Sequence, residues 1–171
     1  MRLRRKVCLL GSTGVGKTSL VKRFAYGEFE DTVSEAEGVM IHKRVIHYPQ
    51  VELELLMWDL EGADGWSQYV ASYMSGASGL MFVVDVTRPR TLEHVIAARD
   101  RAKGFIGRRP AVLVTNKIDL GSEWALKKKQ LDDANKYDWS ILQASAKTGA
   151  HVDEAFEELA KLMMKMGRVA I

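Results

Sequence analysis

The sequence predicts an α/β fold with a six-stranded, mostly parallel sheet, one antiparallel hairpin strand and about five flanking helices. Apolar runs rich in β-branched residues alternate with segments of helical period, which is typical of crossover connections in a parallel sheet. The chain has 171 residues, of which 47% are hydrophobic, so one domain spanning residues 1–171 can bury its own core. Cys8 is the one cysteine, which excludes an internal disulfide and fits a reducing compartment.

The predicted strands follow from short apolar runs between turn signals. They are Lys6–Leu10, Val39–Tyr48, Val51–Asp59, Leu80–Val86, Ala111–Thr115 and a last strand near Ile141–Ala144. Val39–Tyr48 and Val51–Asp59 flank Pro49-Gln50, so they form the antiparallel hairpin. Leu80–Val86 and Ala111–Thr115 are almost entirely apolar, which indicates strands buried on both faces in the middle of the sheet.

Helical spacing predicts the helices that connect these strands. The first runs from about Lys17 to Tyr26 and is preceded by glycines, which serve the backbone because glycine does not favour helix formation. Thr91 stands where it can cap a second helix, whose apolar residues recur at three- and four-residue spacing. Val152–Met163 carries the apolar stripe of the last helix.

The charge of the chain is nearly balanced, with 25 Lys and Arg against 22 Asp and Glu. Basic residues cluster only in the first six positions and at Lys127–Lys129, so ordinary solvated surface is favoured over a nucleic-acid interface. The apolar run after the basic start is too short for a signal peptide, and no uncharged stretch has the length of a membrane span. We therefore expect a cytoplasmic protein.

Residues 11–18 match the pattern of a phosphate-binding loop, and they lie between a predicted strand and a predicted helix. Glycines let backbone N–H groups turn toward phosphates, and the helix N-terminus adds partial positive charge. Lys17 is expected to reach the β- and γ-phosphate oxygens, and Thr18 to ligate Mg²⁺. The alternative is a chance glycine-rich turn, which the lysine and hydroxyl in position disfavour. The predicted phosphate-binding residues are Gly11, Ser12, Thr13, Gly14, Val15, Gly16, Lys17, Thr18 and Ser19.

Two later segments follow strands and indicate a guanine-binding pocket. The Asp119 carboxylate can accept hydrogen bonds from guanine N1–H and the exocyclic amine, which adenine does not offer. Asn116 belongs to the same segment, and the stem of Lys117 would lie over the purine. Ser145, Ala146 and Lys147 would offer backbone N–H groups to the guanine carbonyl. ATP is the alternative ligand, which Asp119 disfavours.

With these motifs the chain resembles the small Ras-like GTPases, most closely the Rab branch, from about Lys6 to Met166. The resemblance also includes the segments Trp58-Asp59-Leu60-Glu61-Gly62, Tyr73–Gly79 and Val84-Asp85-Val86-Thr87. It implies a phosphate-loop G domain that binds GTP or GDP with Mg²⁺, hydrolyses GTP and changes the conformation of two loops around the γ-phosphate. It also implies an effector, an exchange factor or an activating protein as partners.

The resemblance assigns roles to further residues. It implies that Asp59 holds Mg²⁺ through water, that the Gly62 amide binds the γ-phosphate and that Lys17 stabilises transition-state charge. It also implies that Phe29 packs against the guanine edge. Helix capping by Asp59 and simple loop anchoring by Phe29 are the alternatives.

Two positions depart from the family. Ala36 stands where the family's threonine binds Mg²⁺ and the γ-phosphate, and Ala63 stands where its glutamine orients the attacking water. Neither methyl group can make these contacts, so we expect slow intrinsic hydrolysis. At the first position, Ser34, Glu35 or Glu37 could substitute only if the loop takes a different path, and a shifted glutamate would bring negative charge toward phosphate. At the second position, Glu61 or Asp64 could substitute, but a carboxylate near the γ-phosphate repels it.

Three functions compete at this point. The first is a GTP-dependent switch, the second is a guanine-nucleotide-binding scaffold without hydrolysis, and the third is an ATP-dependent kinase, which Asp119 and the lack of a second substrate pocket disfavour. The chain carries neither a terminal cysteine nor an N-terminal myristoylation motif, so no lipid anchor is expected.

Overall fold

A six-stranded sheet forms the centre of the computed structural model, which describes residues 1–27, 39–60 and 68–169. Its strands are β1 (Arg2–Leu10), β2 (Val39–His47), β3 (Glu52–Leu60), β4 (Gly79–Asp85), β5 (Ala111–Asn116) and β6 (Ser140–Gln143). Their order is β2-β3-β1-β4-β5-β6, and β2 pairs with β3 antiparallel while the other neighbours are parallel. The predicted α/β class with one hairpin strand is confirmed.

Helices cover both faces of this sheet. In the described ranges they are α1 (Lys17–Tyr26), α2 (Gln68–Met74), α3 (Arg90–Ile106), α4 (Lys128–Ala134) and α5 (Val152–Met166). The first and last pack on one face, where the rings of Phe24 and Phe156 stack with centroids 4.1 Å apart. The other three pack on the opposite face around Phe82. Within these ranges no helix combines the length and the apolar character that crossing a membrane requires.

The central strands are buried as the sequence predicts. Every residue of β4 and β5 is buried, which is expected of parallel strands covered on both faces. Cys8 on β1 is also buried, and this burial raises the pKa of its thiol to about 12. The thiol therefore stays protonated and serves as a small core residue.

The first strand is longer than predicted. It begins at Arg2, which pairs with Glu52 of β3, and the side chains of Arg2 and Arg4 lie 3.1 Å and 2.5 Å from Glu54 of the same strand. Glu54 is only 4% exposed, so the charge of this buried carboxylate is balanced by two arginines from the basic N-terminal residues.

The predicted cap of the second helix is wrong. The helix α3 begins at Arg90 after Pro89, so Thr91 lies inside its first turn. The Thr91 hydroxyl accepts a hydrogen bond from the Asp85 N–H at 3.0 Å and donates one to the Arg88 carbonyl at 2.7 Å. Thr91 therefore fastens the end of β4 to the start of α3, and proline supplies the helix start instead.

Candidate nucleotide-binding site

The loop between β1 and α1 has a backbone that only glycine fits at two positions. A Cβ on Gly11 would lie 2.5 Å from the carbonyl oxygen of Val83. Gly16 has φ of +99°, and a Cβ there would lie 2.3 Å from Nδ2 of Asn116. Gly16 also precedes α1, and no side chain caps the N-terminus of that helix. The backbone N–H groups at the start of α1 are therefore not taken by a cap.

Side chains from outside the loop hold several of its carbonyl groups. Asn116 Nδ2 donates to the carbonyl of Val15 at 2.9 Å, and Lys117 Nζ donates to that of Gly14 at 2.7 Å. A planar peptide directs its C=O and its N–H to opposite sides. The N–H of Gly16, which shares a peptide with the Val15 carbonyl, therefore points away from Asn116, as an anion-binding loop requires.

Lys17 brings a positive charge into the buried part of this loop. Its side chain is only 6% exposed, and its ammonium donates to the carbonyls of Gly11 at 2.6 Å and Ser12 at 3.2 Å. An ammonium taken out of water is unfavourable unless its donors are satisfied and an anion is near. The arrangement fits a site whose ligand carries negative charge.

Thr18 and Asp59 are brought together across the ends of α1 and β3. The Thr18 hydroxyl donates to Asp59 Oδ2, while Asp59 Oδ1 is buried and has no hydrogen-bond partner among the described residues. A hydroxyl and an incompletely bonded carboxylate are the oxygen donors that Mg²⁺ prefers. In the same ranges no group of three or more His, Cys, Asp or Glu could hold a metal alone. The pair therefore fits Mg²⁺ that also uses ligand oxygens and water.

The two segments predicted to contact the base are bonded to each other. Ser145 Oγ donates to Asp119 Oδ1 at 2.6 Å, and the Ala146 N–H donates to Asn116 Oδ1 at 3.1 Å. From the other side, Arg23 of α1 donates to the carbonyls of Ala146, at 2.8 Å, and of Lys147. The carboxylate of Asp119 is thus oriented by a hydroxyl, and the loop that follows β6 is fixed on both sides.

Lys117 links the base segment to the phosphate loop. Its backbone has φ of +71°, a conformation that non-glycine residues seldom adopt. Its ammonium lies 2.7 Å from Asp85 Oδ2 in addition to its contact with Gly14. Burial raises the pKa of Asp85, but hydrogen bonds from Lys117 and Thr87 outweigh it, and the pKa lies below the ordinary value. Asp85 is therefore charged at neutral pH.

Several predicted residues lie outside the described ranges, and several residues of the site were not predicted from the sequence. Phe29, Gly62, Ala36 and Ala63 fall in the former group, with the alternatives Ser34, Glu35, Glu37, Glu61 and Asp64. Ser19 lies in the first turn of α1. The sequence interpretation did not assign Asp85, Arg88 or Arg23 to the site. A carboxylate at the end of an otherwise apolar strand was the available signal for Asp85.

One edge of the sheet therefore joins a loop suited to phosphate to a carboxylate suited to a purine base, the plan of phosphate-loop nucleotide-binding proteins. Residues 6–165 match the model of the Ras family. The Ras-related protein RABC1 of Arabidopsis thaliana is 35% identical over 158 residues, which cover 90% of this chain and 74% of that protein. Ras-related protein Rab-13 of Bos taurus is 30% identical over 168 residues, covering 95% and 81%.

The chain belongs to the Ras family. The predicted resemblance, including its Rab-like character, is confirmed, and the function is that of a small GTPase that acts as a GTP/GDP switch and hydrolyses GTP.

Proposed function

We propose that residues 11–19, 116–119 and 145–147 form the guanine nucleotide site of this small GTPase within a single G domain. The observation that carries the proposal is the position of Asn116. Its side chain donates to the Val15 carbonyl of the phosphate loop and accepts from the Ala146 N–H of the base loop. A ligand that occupies one loop therefore meets the other, as a nucleoside phosphate would.

Guanine recognition follows from the bonding of Asp119. Ser145 fixes one carboxylate oxygen at 2.6 Å, so the group has a set direction when it accepts from guanine N1–H and the exocyclic amine. The guanine carbonyl would share the Ala146 N–H with Asn116, since that amide already donates at 3.1 Å. The proposed ligand is GTP or GDP rather than ATP.

The phosphate end supplies the groups for hydrolysis. Lys17 neutralises charge that develops on the phosphate oxygens in the transition state. Thr18, and Asp59 through water, are the residues proposed to hold Mg²⁺. That ion, when bound, would neutralise the β- and γ-phosphate oxygens. The Gly62 amide is proposed to bind the γ-phosphate, and Phe29 to pack against the guanine edge.

We propose that intrinsic hydrolysis is slow, because the side chains of Ala36 and Ala63 contain no oxygen or nitrogen. In single-turnover hydrolysis by the purified protein, Ala63→Gln should raise the rate on the order of tenfold, since an amide can orient the attacking water. Ala63→Leu is the matched control, because it adds volume without a hydrogen-bonding group. Fast turnover by the unchanged protein that Glu61→Ala or Asp64→Ala abolishes would contradict this proposal.

Ala36→Thr tests the first departure separately. The added hydroxyl can contact Mg²⁺ and the γ-phosphate only in the triphosphate state, so it should raise the preference for GTP over GDP. Ala36→Val is nearly isosteric and lacks the hydroxyl, which makes it the control. Equal affinity ratios in calorimetry for the threonine and valine variants would count against the assignment of position 36.

The alternative from the sequence is a guanine-nucleotide-binding scaffold that does not switch; it shares every binding residue with the switch, and Ala36 and Ala63 favour weak chemistry without deciding between the two. The two functions differ in what they recognise. A switch binds an effector in the presence of a non-hydrolysable GTP analogue and not with GDP, whereas a scaffold binds equally with both. We propose a cytoplasmic switch that also uses an exchange factor or an activating protein.

A further inference from the structure

Thr13 lies in the phosphate loop, and its carbonyl is held by a residue from a distant turn. Arg88, between β4 and α3, donates from Nη2 to the Thr13 carbonyl at 2.9 Å. The same guanidinium donates from Nε to Asp85 Oδ2 at 3.1 Å. A planar guanidinium that is bonded at two points has a fixed direction. Arg88 therefore connects the last residue of β4 to the middle of the phosphate loop.

The buried carboxylate of Asp85 anchors this connection. Asp85 is 1% exposed, and its Oδ1 accepts from the Thr87 N–H at 2.9 Å and the Thr87 hydroxyl at 2.6 Å. Its Oδ2 lies against both the Arg88 guanidinium and the Lys117 ammonium. Because Lys117 holds the Gly14 carbonyl, one carboxylate fixes two cations that hold consecutive carbonyls of the loop.

The direction of the Thr13 carbonyl sets the direction of the next amide. The Thr13 C=O and the Gly14 N–H belong to one planar peptide, so holding the carbonyl toward Arg88 turns the N–H to the opposite side. Gly14 has φ of +75° and no side chain to restrict it, so its peptide needs an external restraint. Arg88 supplies that restraint from outside the loop.

We infer that Arg88, anchored by Asp85, is a positioning residue that holds the phosphate loop in its nucleotide-binding conformation. This inference rests on the proposed placement of the phosphates at residues 11–18. Arg88 acts through the Thr13–Gly14 peptide and not by touching the phosphates. A loop that is ordered before binding loses less conformational freedom when the ligand binds. Removing the restraint should therefore show as faster loss of bound nucleotide.

The test is the release of a fluorescently labelled GDP from the purified chain after addition of excess unlabelled GDP and Mg²⁺. Arg88→Ala should accelerate release about fivefold, as expected for loss of a half-exposed hydrogen bond to a charged group. Arg90→Ala is the matched control, because Arg90 is an exposed arginine two residues further along the same segment. It should release GDP at the rate of the unchanged protein.

Two further variants separate positioning from stability. Arg88→Lys keeps the charge beside Asp85 but cannot also reach the Thr13 carbonyl, so it should retain the melting temperature of the nucleotide-free protein while still releasing GDP faster. In an Asp85→Asn background, Arg88→Ala should add less than it does alone, because the anchor is already lost. Full recovery of slow release by Arg88→Lys would overturn the positioning role.

Failure of the inference differs from failure of the proposed site. If Lys17→Ala prevents loading but Arg88→Ala releases GDP as slowly as the unchanged protein, Arg88 is not a positioning residue and the site stands. If Lys17→Ala still loads and retains GDP like the unchanged protein, the phosphates do not occupy residues 11–18, and both proposals are wrong.

Discussion

The carboxyl ends of the parallel strands β1, β4 and β5 differ from the hairpin β2–β3 in how their buried polar groups are bonded. At the parallel end, buried polar side chains have partners, as for Ser12 with His94, Asp85 with Thr87 and Asn116 with Val15. Among the described residues, the buried side-chain atoms without a hydrogen-bond partner all belong to the hairpin. They are His42 Nε2, Tyr48 OH, Trp58 Nε1 and Asp59 Oδ1.

This difference separates most of the proposed nucleotide-binding residues from the expected conformational response; Asp59, proposed to hold Mg²⁺ through water, is the binding residue that lies on the hairpin. The parallel end is internally bonded and therefore suited to hold a ligand in both states of a switch. The hairpin directly follows residue 38 and directly precedes residue 61, so it joins the two segments that contain Ala36 and Ala63. Buried polar atoms without partners raise the free energy of a state and favour any rearrangement that satisfies them. The conformational changes expected of a GTPase switch therefore fall on the hairpin, whose buried polar groups are less completely hydrogen-bonded.

The largest effect should come from Lys17→Ala, at the carboxyl ends of the parallel strands. Loss of the buried ammonium should abolish binding of GDP with Mg²⁺, because the phosphates lose their charge partner. Bound ligand stabilises a protein by RT ln(1 + [L]/Kd), so the thermal shift seen with GDP should vanish. Lys161→Ala, at an exposed lysine of α5, is the control and should keep the full shift. An unchanged shift in Lys17→Ala would mean that this end of the sheet does not bind phosphate.

Asp119→Asn should follow in size. The amide cannot accept both guanine hydrogen bonds, and this should lower GTP affinity by about 2 to 4 kcal/mol. Titration calorimetry with GTP and GDP measures the loss, and Asp132→Asn on α4 serves as the exposed control. Unaltered affinity for both nucleotides would show that the base is read elsewhere.

A smaller effect of opposite sign is expected in the hairpin half. Tyr48→Phe removes only the hydroxyl that lacks a partner, and it should stabilise the fold by about 1 kcal/mol. Burial, and then the nearby Glu157 carboxylate, raise the pKa of Tyr48, so the hydroxyl is neutral at physiological pH. Chemical unfolding measures the gain, with Tyr69→Phe as control because Tyr69 is 74% exposed. If Tyr48→Phe were less stable than the unchanged protein, the Tyr48 hydroxyl would be making a favourable contact. It would then no longer count among the four unpartnered buried atoms of the hairpin.

The smallest effect concerns Glu54 and depends on pH. The hydrogen bond from Arg4, assisted by Arg2, holds the pKa of Glu54 below its ordinary value of 4.5. A lowered folded-state pKa contributes stability above the unfolded-state pKa, and that contribution disappears as the pH falls through the folded-state value. Glu54→Gln should therefore be less stable than the unchanged protein at pH 7. The difference in melting temperature between the two proteins should shrink as the pH falls below 4.5.

Sequence patterns predicted most of the fold because its strong signals are local. The largely apolar strands β4 and β5, and the glycine-rich turn before α1, can each be predicted from about ten consecutive residues. The start of β1 could not be predicted, since Arg2 and Arg4 are strand residues through their pairing with β3, to which the side chain of Glu54 adds ion pairs. The true role of Thr91 likewise depends on its contact with Asp85 of β4.

The site shows the same limit. Motif spacing predicted Lys17, Asn116 and Asp119 as binding residues, and these are the residues that the folded chain brings to one edge of the sheet. The carbonyl-holding roles of Arg88 and Arg23 depend on loops that lie 75 and 123 residues away in sequence. Long-range contacts of this kind have no periodic signature and appear only once the sheet order is known.

The bond between Asn116 and the Val15 carbonyl spans 101 residues of chain, and this separation affects how the protein could be divided. A cut in the connection between α3 and β5 would leave the phosphate loop in one fragment and the base segment in the other. Each fragment would then carry half of a ligand site, so the two would have to reassemble their shared sheet before binding. A guanine nucleotide that contacts both fragments would stabilise the reassembled protein, and the nucleotide concentration would set the extent of reassembly.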